Sequence, residues 1–292
     1  MTHLQTARSF LFAPGSEERK LGRALDAGAD AVVADLEDAV TAAEKPAARD
    51  LVLGVLGAST SQSVRLVRVN GTGTEWHADD VAAVAAAPVD GIVLPKASAD
   101  AVVAVAAAAP HPIVAIVETA LGVREAFAIA SHERVAALLL GAVDLGLALG
   151  HEPRADGLEL LFARSSLVVD CAAAGLRAPI DRVWLDVRDL DGLARDCAFG
   201  RSVGFRGKAL IHPDQVAVAH DAFSPSRDEL DRAREVVAAF ELAERDGRGV
   251  LQLDDGQVDH LAVELQDASP VPLGQLERGD DLSRTVELVA RR

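Results

Sequence analysis

Two carboxylates in the middle of the chain have types and positions suited to chemistry. Glu118 directly follows the apolar run IVAIV, and Asp144 directly follows the apolar run AALLLGAV. The segment LGVREAFAIA between the runs has apolar residues at helical spacing, so the stretch predicts a strand, a helix and a second strand. Such a unit pairs its strands in parallel. Both carboxylates then lie at the carboxyl ends of strands, where parallel α/β proteins bind their ligands.

Oxygen ligands that converge in this way suit a hard divalent cation. No cationic side chain is evident beside the two acids in the sequence. We therefore predict that Glu118 and Asp144 bind a metal, most simply Mg²⁺. In the alternative interpretation, Glu118 caps the following helix and Asp144 caps a turn.

A second acidic group ends the apolar run AVVADLED. Strand alternation places Asp35 and Glu37 on one face, whereas Asp38 suits a solvated loop or a helix cap. Carboxylates this close raise one another's pKa unless solvent, a basic partner or a cation offsets the repulsion. Asp35 and Glu37 are therefore predicted to form a second part of the same site. In the alternative interpretation, which applies most readily to Asp38, all three acids belong to a solvated loop and cap a helix.

Basic and polar residues end three further runs of the same kind. Arg68 and Asn70 share a face at the end of VRLVRVN, and Lys96 ends GIVLPK, so all three are predicted to bind the substrate. The planar donors of an arginine in such a place match a carboxylate or a thioester-linked oxygen. His212 ends GKALIHP, where a histidine before a proline is more often a structural hydrogen-bonding group than a catalytic one.

The elements that must position these residues alternate along the chain. The segment 41–56 predicts one of the intervening helices, with Lys45 and Arg49 on its surface. Eight strand-like runs separated mostly by helix-like runs within about 215 residues are typical of a (β/α)₈ TIM barrel, and a doubly wound open sheet is the alternative. The predicted strands are 9–15, 31–38, 64–70, 91–96, 113–117, 136–143, 178–186 and 207–213.

The predicted domain organisation is a catalytic barrel over residues 8–223 and a C-terminal extension over 224–292. The extension begins with a charged amphipathic helix over 226–245 and continues with a hairpin or flap in DGRGVLQLDDGQVDH. Its remainder contains several Pro, Gly and Asp residues, so we interpret it as a lid or arm.

Composition excludes several classes of function. A net charge of −16 disfavours nucleic acid and anionic membranes as partners. Apolar runs are too short to span a bilayer, and no secretory signal is evident at the start. The two cysteines, Cys171 and Cys197, lack metal-site spacing and are interpreted as reduced thiols of a cytoplasmic protein. The motifs of nucleotide-binding loops, serine hydrolases and zinc proteases are absent from the sequence.

A set of segments in order resembles the citrate lyase β-subunit-like branch of the HpcH/HpaI aldolase family. The resemblance extends over about residues 8–245. The segments are RSFLFAPGSEERKLGRALDAGADAVVADLEDAV, VRVNGTGT, GIVLPKA, IVAIVETALG, LLLGAVDL, PIDRVWLDVRDLDGL and GFRGKALIHPDQV.

The resemblance implies a Mg²⁺-dependent barrel that acts on acyl-CoA-type thioesters such as malyl-, citramalyl- or citryl-CoA, and a homotrimer or hexamer. It places the metal on Glu118 and Asp144, Arg68 on the substrate's oxygens, and Asp35 and Glu37 behind the metal's waters. The segments LPK and GKALIHP, with Lys96 and His212, would shape the thioester and CoA end.

The family's C-terminal "DGxMVD" segment implies a further residue. Its aspartate reaches a neighbouring subunit's site as an acid or base, and LDDGQVD places Asp259 at that position, with Gln257 where methionine is usual. The implied reaction is retro-Claisen or retro-aldol cleavage of a 3-hydroxyacyl thioester. In it, Arg68 stabilises oxyanion charge, and Asp259, or a water held by Glu37, exchanges the proton.

Three other functions remain open at this point. A CoA-free 2-keto-3-hydroxy-acid aldolase would use the same barrel. A citrate-lyase-like subunit would act with an acyl-carrier partner. A purely CoA-binding or structural protein would bind its ligand without any effect of EDTA.

Overall fold

The computed structural model describes residues 2–154, 156–245, 251–252 and 258–259. The chain divides into two compact units, Met1–Phe223 and Ser224–Arg292. The predicted catalytic residues, apart from Asp259, belong to the first unit.

Seven parallel strands form a nearly closed barrel in the first unit. Their order in the sheet is β6-β5-β4-β3-β2-β1-β7, so consecutive strands are neighbours from β1 to β6. This arrangement confirms the predicted (β/α)₈ TIM-barrel class. The strands are β1 Ser9–Pro14, β2 Ala31–Asp35, β3 Val64–Arg68, β4 Gly91–Leu94, β5 Ile113–Val117, β6 Val135–Leu140 and β7 Lys208–Leu210.

The predicted strand over 178–186 is the main departure from expectation. Only Ile180 and Asp181 pair there, as single bridges to Leu139 of β6 and Lys208 of β7. Ile180 exchanges hydrogen bonds with β6, and Asp181 does so with the residues around β7. Pro179 has no N–H to extend the pairing on the preceding side. Two residues therefore occupy the place of the eighth strand and join β6 to β7.

Helices follow most strands and cover the outside of the barrel. The helix predicted between the two central strands is instead two short helices, α6 and α7, that meet at Glu125. The helices are α1 Thr2–Thr6, α2 Glu18–Leu25, α3 Lys45–Ala58, α4 His77–Ala85, α5 Ala99–Ala108, α6 Ala120–Arg124, α7 Ala126–Ala130, α8 Ala142–Leu149, α9 Leu161–Ala173, α10 Leu190–Val203 and α11 Gln215–Phe223.

Strand alternation divides the apolar side chains into two layers. In β1, Phe10 and Phe12 belong to a cluster with Leu66 and Ile116, whereas Leu11 packs in a larger cluster with helix residues. Because successive side chains of a strand point to opposite faces, the first cluster fills the barrel and the second joins it to the helices. Leu4 of α1 belongs to the inner cluster, so α1 closes the end of the barrel where the strands begin.

A buried ion-pair network lies beside the place of the missing strand. Asp181 accepts hydrogen bonds from Arg164 of α9, at 3.1 and 2.8 Å, and from Lys208 of β7, at 3.0 Å. Asp196 of α10 bonds to the same two basic residues, and Arg182 donates to it at 2.8 Å. Arg164, Asp181 and Lys208 have no solvent exposure. The network therefore ties two outer helices to the junction between β6 and β7.

The second unit contains the predicted charged helix and a short antiparallel pair. Helix α12, Arg227–Arg245, begins with a capping box in which Ser226 and Glu229 bond reciprocally. Strands β8, Leu251–Gln252, and β9, Val258–Asp259, pair as expected for a hairpin. No helix among residues 2–154 and 156–245 is long and apolar enough to cross a membrane.

Candidate active site

A cavity of about 450 Å³ opens at the carboxyl ends of the strands. Four predicted residues line it: Asp35, Arg68, Glu118 and Asp144. Its other walls are mostly apolar and come from β1, β5, β6 and the loops after them. The geometry therefore brings the two central carboxylates and the predicted anion-binding arginine into one cavity, as barrel topology requires.

Arg68, the last residue of β3, is held in place by acidic side chains and by an aromatic ring. Its Nε and Nη2 donate to the two carboxylate oxygens of Asp35 at 2.6 Å each. Its Nη1 lies 3.1 Å from both Glu37 and Asp38, and its guanidinium lies over the ring of Phe12 at 5.4 Å. The acidic neighbours raise the pKa of Arg68 although burial opposes this, so the guanidinium stays charged.

Asp35 orients Arg68 and the loop after β2. Besides Arg68, its carboxylate accepts the backbone N–H groups of Glu37 and Ala39 at 2.9 and 3.2 Å. Asp35 therefore has four donors around two oxygens. These contacts do not favour the prediction that Asp35 hydrogen-bonds to the metal's waters, because protein groups already occupy its carboxylate oxygens.

Glu118 is fixed by a backbone donor and by a glycine. The N–H of Lys96 donates to its Oε1 at 2.7 Å. A Cβ at Gly141 would lie only 2.5 Å from Cβ of Glu118 and would overlap its Oε2. Glycine at this position therefore lets the carboxylate lie against the backbone that follows β6.

The structure does not favour the alternative in which Glu118 and Asp144 are caps. Thr119 caps α6 through its Oγ1, which accepts the N–H of Gly122 at 2.9 Å. Asp144 lies inside the first turn of α8 rather than at a strand end, because β6 ends at Leu140. An acid in this turn is stabilised by the helix dipole, and Asp144 faces the cavity from there.

A cationic side chain lies among these carboxylates, contrary to the expectation that none does. Nζ of Lys96 donates to Oε1 of Glu37 at 2.6 Å and lies 3.5 Å from Oδ2 of Asp144. These carboxylates raise the pKa of Lys96 against the opposing effect of desolvation. The family resemblance predicts Lys96 at the CoA end of the substrate, whereas its contacts place it on the acids of the site.

Burial raises the pKa of two acids of the site, Glu118 and Glu37. Burial, followed by repulsion from Glu37 and Asp144, raises the pKa of Glu118 to about 7 although Lys96 opposes the shift. Burial also raises the pKa of Glu37, although Arg68 and Lys96 lower it. A divalent cation placed beside them would favour the ionised forms.

Glu118 and Asp144 fit a hard divalent cation. In the described part of the chain, Oε2 of Glu118 and both oxygens of Asp144 accept no hydrogen bond. No group of three or more His, Cys, Asp or Glu side chains there is arranged to hold a metal. Mg²⁺ commonly uses one or two carboxylates and completes its shell with waters and substrate oxygens, so a pair of this kind suffices.

Two predicted substrate-binding residues lie away from the cavity. Asn70 is buried, and its backbone N–H and Nδ2 donate to Asp80 of α4 at 3.0 and 2.6 Å. The side chain of His212 is 45% exposed and lies 3.5 Å from Asp214. Asn70 therefore anchors the loop after β3, and His212 lies in the turn after β7. The prediction for Asp259 falls in β9, and its side chain lies outside the described residues.

Sequence reasoning missed three contributors to the site. Asp38 lines the cavity beside Arg68, and Phe12 lies against the guanidinium from β1. Lys45, predicted on a helix surface, is instead buried, and its Nζ donates to the carbonyl oxygens of Leu36 and Glu37 at 2.9 Å each. Burial lowers the pKa of Lys45 although neighbouring acids raise it. The signal in the sequence is its position as the first residue of α3, seven residues after Asp38.

Comparison with known proteins identifies the family of this chain. The family model described as HpcH/HpaI aldolase/citrate lyase matches residues 8–213. A (3S)-malyl-CoA thioesterase of Cereibacter sphaeroides is 44% identical over 259 residues, which cover 88% of this chain and 90% of that protein. The citrate lyase subunit beta of Escherichia coli is 35% identical over 275 residues, which cover 89% and 91%.

A solved structure gives the same result. The protein CitE from Mycobacterium tuberculosis, in complex with magnesium, acetoacetate and coenzyme A, is similar with a TM-score of 0.74 and 32% identity. The similarity covers 99% of this chain and 100% of that one. The sequence motifs, the barrel and these matches agree: the chain belongs to the HpcH/HpaI aldolase/citrate lyase family.

Proposed function

We propose that this chain is a Mg²⁺-dependent carbon–carbon lyase that cleaves or forms a 3-hydroxyacyl-CoA-type thioester, such as malyl-, citramalyl- or citryl-CoA. One observation carries the proposal: Glu118 and Asp144 line the same cavity as the guanidinium of Arg68. The relatives named for malyl-CoA and citrate, and the CitE structure with magnesium and coenzyme A, support the same chemistry.

In this proposal, Glu118 and Asp144 would hold the metal, which when bound would act as a Lewis acid toward the substrate's oxygens. Arg68 contributes a fixed positive charge to the cavity wall, and Asp35 prevents its guanidinium from turning away. Apolar side chains from β1, β5 and β6 line much of the rest of the cavity, and we expect them to limit access of water to the bond that breaks.

Cleavage to a thioester enolate requires a base that takes the proton of the hydroxyl group and an acid that delivers a proton to the enolate carbon. We assign the second transfer to Asp259, by resemblance to the family's C-terminal segment. The alternative proton donor is a water molecule held by Glu37. Burial raises the pKa of Glu37, which makes its carboxylate a better proton acceptor. The variants D259N and E37Q distinguish the two assignments. Only the substitution that removes the proton-transferring group should lower turnover while Mg²⁺ binding is retained.

A second candidate function is hydrolysis of the thioester, favoured by the 44% identical malyl-CoA thioesterase. The two reactions give different products from malyl-CoA. Carbon–carbon cleavage releases glyoxylate and acetyl-CoA, whereas hydrolysis releases malate and free CoA.

The deciding experiment is a product assay on malyl-, citramalyl-, β-methylmalyl- and citryl-CoA, each with Mg²⁺ and with EDTA. We expect one member to be cleaved at carbon–carbon only with Mg²⁺, and D144A to be inactive while its circular dichroism is unchanged. Wild-type turnover by D144A would contradict the metal assignment. Turnover only after addition of an acyl-carrier protein would identify a citrate-lyase-like subunit.

We also propose that the chain is cytoplasmic and forms a homotrimer or a hexamer. Both cysteines are free and buried, which suits a reducing compartment. Four neighbouring helices, α6 to α9, expose large apolar side chains, which is unusual for a monomer. The exposed residues are Leu121, Phe127, Val143, Leu147, Leu149, Phe162 and Val169.

A further inference from the structure

Lys96 has an unusual backbone conformation for its side chain. Its φ is +48°, and it is the one non-glycine residue with a positive φ in the described ranges. The left-handed region is costly for a residue with a Cβ, so such strain persists where the surroundings require it. Lys96 directly follows Pro95 after the end of β4, and its Nζ lies 3.5 Å from Asp144, which lines the cavity.

This conformation directs both ends of Lys96 at acids of the site. The backbone N–H donates to Oε1 of Glu118, and the side-chain Nζ donates to Glu37 and lies 3.5 Å from Asp144. The three carboxylates follow three different strands, and one residue contacts all of them. Because the backbone holds Oε1 of Glu118, its Oε2 is left for another ligand.

We propose that Lys96 is the internal counter-ion of the metal site, and that its ammonium group opposes divalent-cation binding in the absence of substrate. The inference rests on the proposed function, because it assumes that Glu118 and Asp144 bind Mg²⁺. Lys96 is thus a positioning residue for the acids through its N–H group, and a determinant of metal affinity through its charge.

Charge balance gives the direction of the effect. Without a metal, the ammonium offsets repulsion between Glu37 and Asp144. With a divalent cation held by Glu118 and Asp144, the ammonium, which lies 3.5 Å from Asp144, would become a neighbouring like charge, which is unfavourable. The side chain is 45% exposed, so its end can move into solvent when the cation binds. Removing the ammonium should therefore strengthen metal binding in the absence of substrate.

The test is metal binding by the full-length, metal-free protein without substrate. Mn²⁺ prefers the same oxygen ligands as Mg²⁺, and its free concentration can be read by electron paramagnetic resonance. We expect K96M to bind Mn²⁺ about fivefold more tightly than the wild type, the effect of losing one partly exposed charge interaction. We expect a matching larger rise in melting temperature when Mg²⁺ is added.

Three further variants separate the ammonium from other effects. K96R retains the charge and should bind like the wild type. K96G loses the ammonium, keeps the N–H group on Glu118 and relieves the strain at φ +48°, so it should bind like K96M even if K96M folds poorly. K20M removes an exposed lysine that pairs with Glu17 away from the site, and should change nothing.

The outcomes distinguish the inference from the function on which it rests. If the wild type binds Mn²⁺ and both K96M and K96G bind it equally or more weakly, Lys96 is not the opposing charge and the inference is overturned alone. If the wild type binds neither Mn²⁺ nor Mg²⁺, the inference and the proposed metal-dependent function both fall.

Discussion

Glu118 is a carboxylate in a place where ionisation is costly. It is 5% exposed and shares its surroundings with Glu37 and Asp144, so the pKa of its carboxyl group rises to about 7 in the absence of metal. Among the described residues, its carboxylate accepts a hydrogen bond from the N–H of Lys96 alone. The folded protein therefore binds a proton at Glu118 more tightly than the unfolded chain, whose reference pKa is 4.5.

This difference predicts a pH dependence of stability for the metal-free protein. A carboxyl group with a raised pKa in the folded state stabilises the fold below its unfolded pKa, and this contribution is lost as pH rises from 4.5 through about 7. We expect the free energy of unfolding in EDTA to fall in that window, by on the order of 3 kcal/mol from Glu118. The measurement is urea denaturation from pH 5 to 8.

The control is E118Q, which cannot ionise and should show a flatter profile over the same window. Glu37 contributes with the same sign, because its pKa is also raised. The pKa of Asp30 is lowered by bonds to His220 and Arg8 against the effect of burial. Asp30 therefore changes the free energy of unfolding only below about pH 3.8, outside this window. A wild-type profile as flat as that of E118Q would contradict the prediction.

Gly141 supports a second prediction at this scale. In G141A, the new Cβ would overlap Glu118 and lie 2.8 Å from Cγ2 of Ile116. We expect a loss of about 1–3 kcal/mol in the free energy of unfolding from overpacking. We also expect weaker metal binding, since Glu118 must move. Thermal denaturation and Mn²⁺ titration measure the two effects.

A matched glycine provides the control. Gly54 lies in α3, and a Cβ added there would have no atom within 4 Å, so G54A should gain about 0.5–1 kcal/mol through helix propensity. Equal behaviour of the two alanine variants would show that the contact between Gly141 and Glu118 is unimportant.

At the scale of residues, sequence alone predicts which strand ends carry the polar groups. Glu118, Asp144 and Arg68 line one cavity because the topology brings strand ends together. The partners within the site are not predictable in this way. The sequence does not reveal that Asp35 occupies two donors of Arg68, or that a left-handed backbone turns Lys96 onto three acids, since both depend on distances between neighbouring strands.

At the scale of elements, the ion-pair network compensates for a strand that does not form. The segment 178–186 has strand composition, yet only Ile180 and Asp181 pair with their neighbours. Buried charges between α9, α10 and β7 surround the same point. The sequence pattern could not show this, because residues 164, 181, 196 and 208 are far apart along the chain and have no periodic relation.

The network yields a prediction about stability. D181A leaves Arg164 and Lys208 buried without one of their two acidic partners, so we expect a loss of about 3–5 kcal/mol in the free energy of unfolding. Urea denaturation measures it. The control is R154A, which removes an exposed ion pair with Asp156 and should leave the midpoint unchanged. A midpoint for D181A equal to that of R154A would contradict a structural role for the network.

At the scale of the whole molecule, the predicted site residues are divided between the two units of the chain. The cavity, Arg68 and the two carboxylates lie in residues 1–223, whereas Asp259 lies in the second unit. The expected division at 223/224 follows from the end of the strand–helix alternation. A single sequence does not reveal contacts between copies, so the proposed role of Asp259 in a neighbouring subunit needs a test on the assembly.

Complementation provides that test. D144A and D259N should each be inactive as purified proteins. If Asp259 acts in a neighbouring copy, subunits of the two variants mixed and reassembled should form some sites with an intact Asp144 and a partner's intact Asp259. We expect partial recovery of turnover in the mixture. No recovery, with mixed oligomers demonstrated by mass spectrometry, would contradict action between subunits.

The two-residue join between β6 and β7 also has a consequence for aggregation of the protein. Other neighbouring strands share ladders of three to five paired positions, whereas this join has one bridge on each side. Opening it would turn β6, whose sequence is VAALLL, into a free edge without a single charged residue. Such edges pair readily with other chains. The buried charges beside the join hold it in place, so we expect D181A to lose solubility as well as stability.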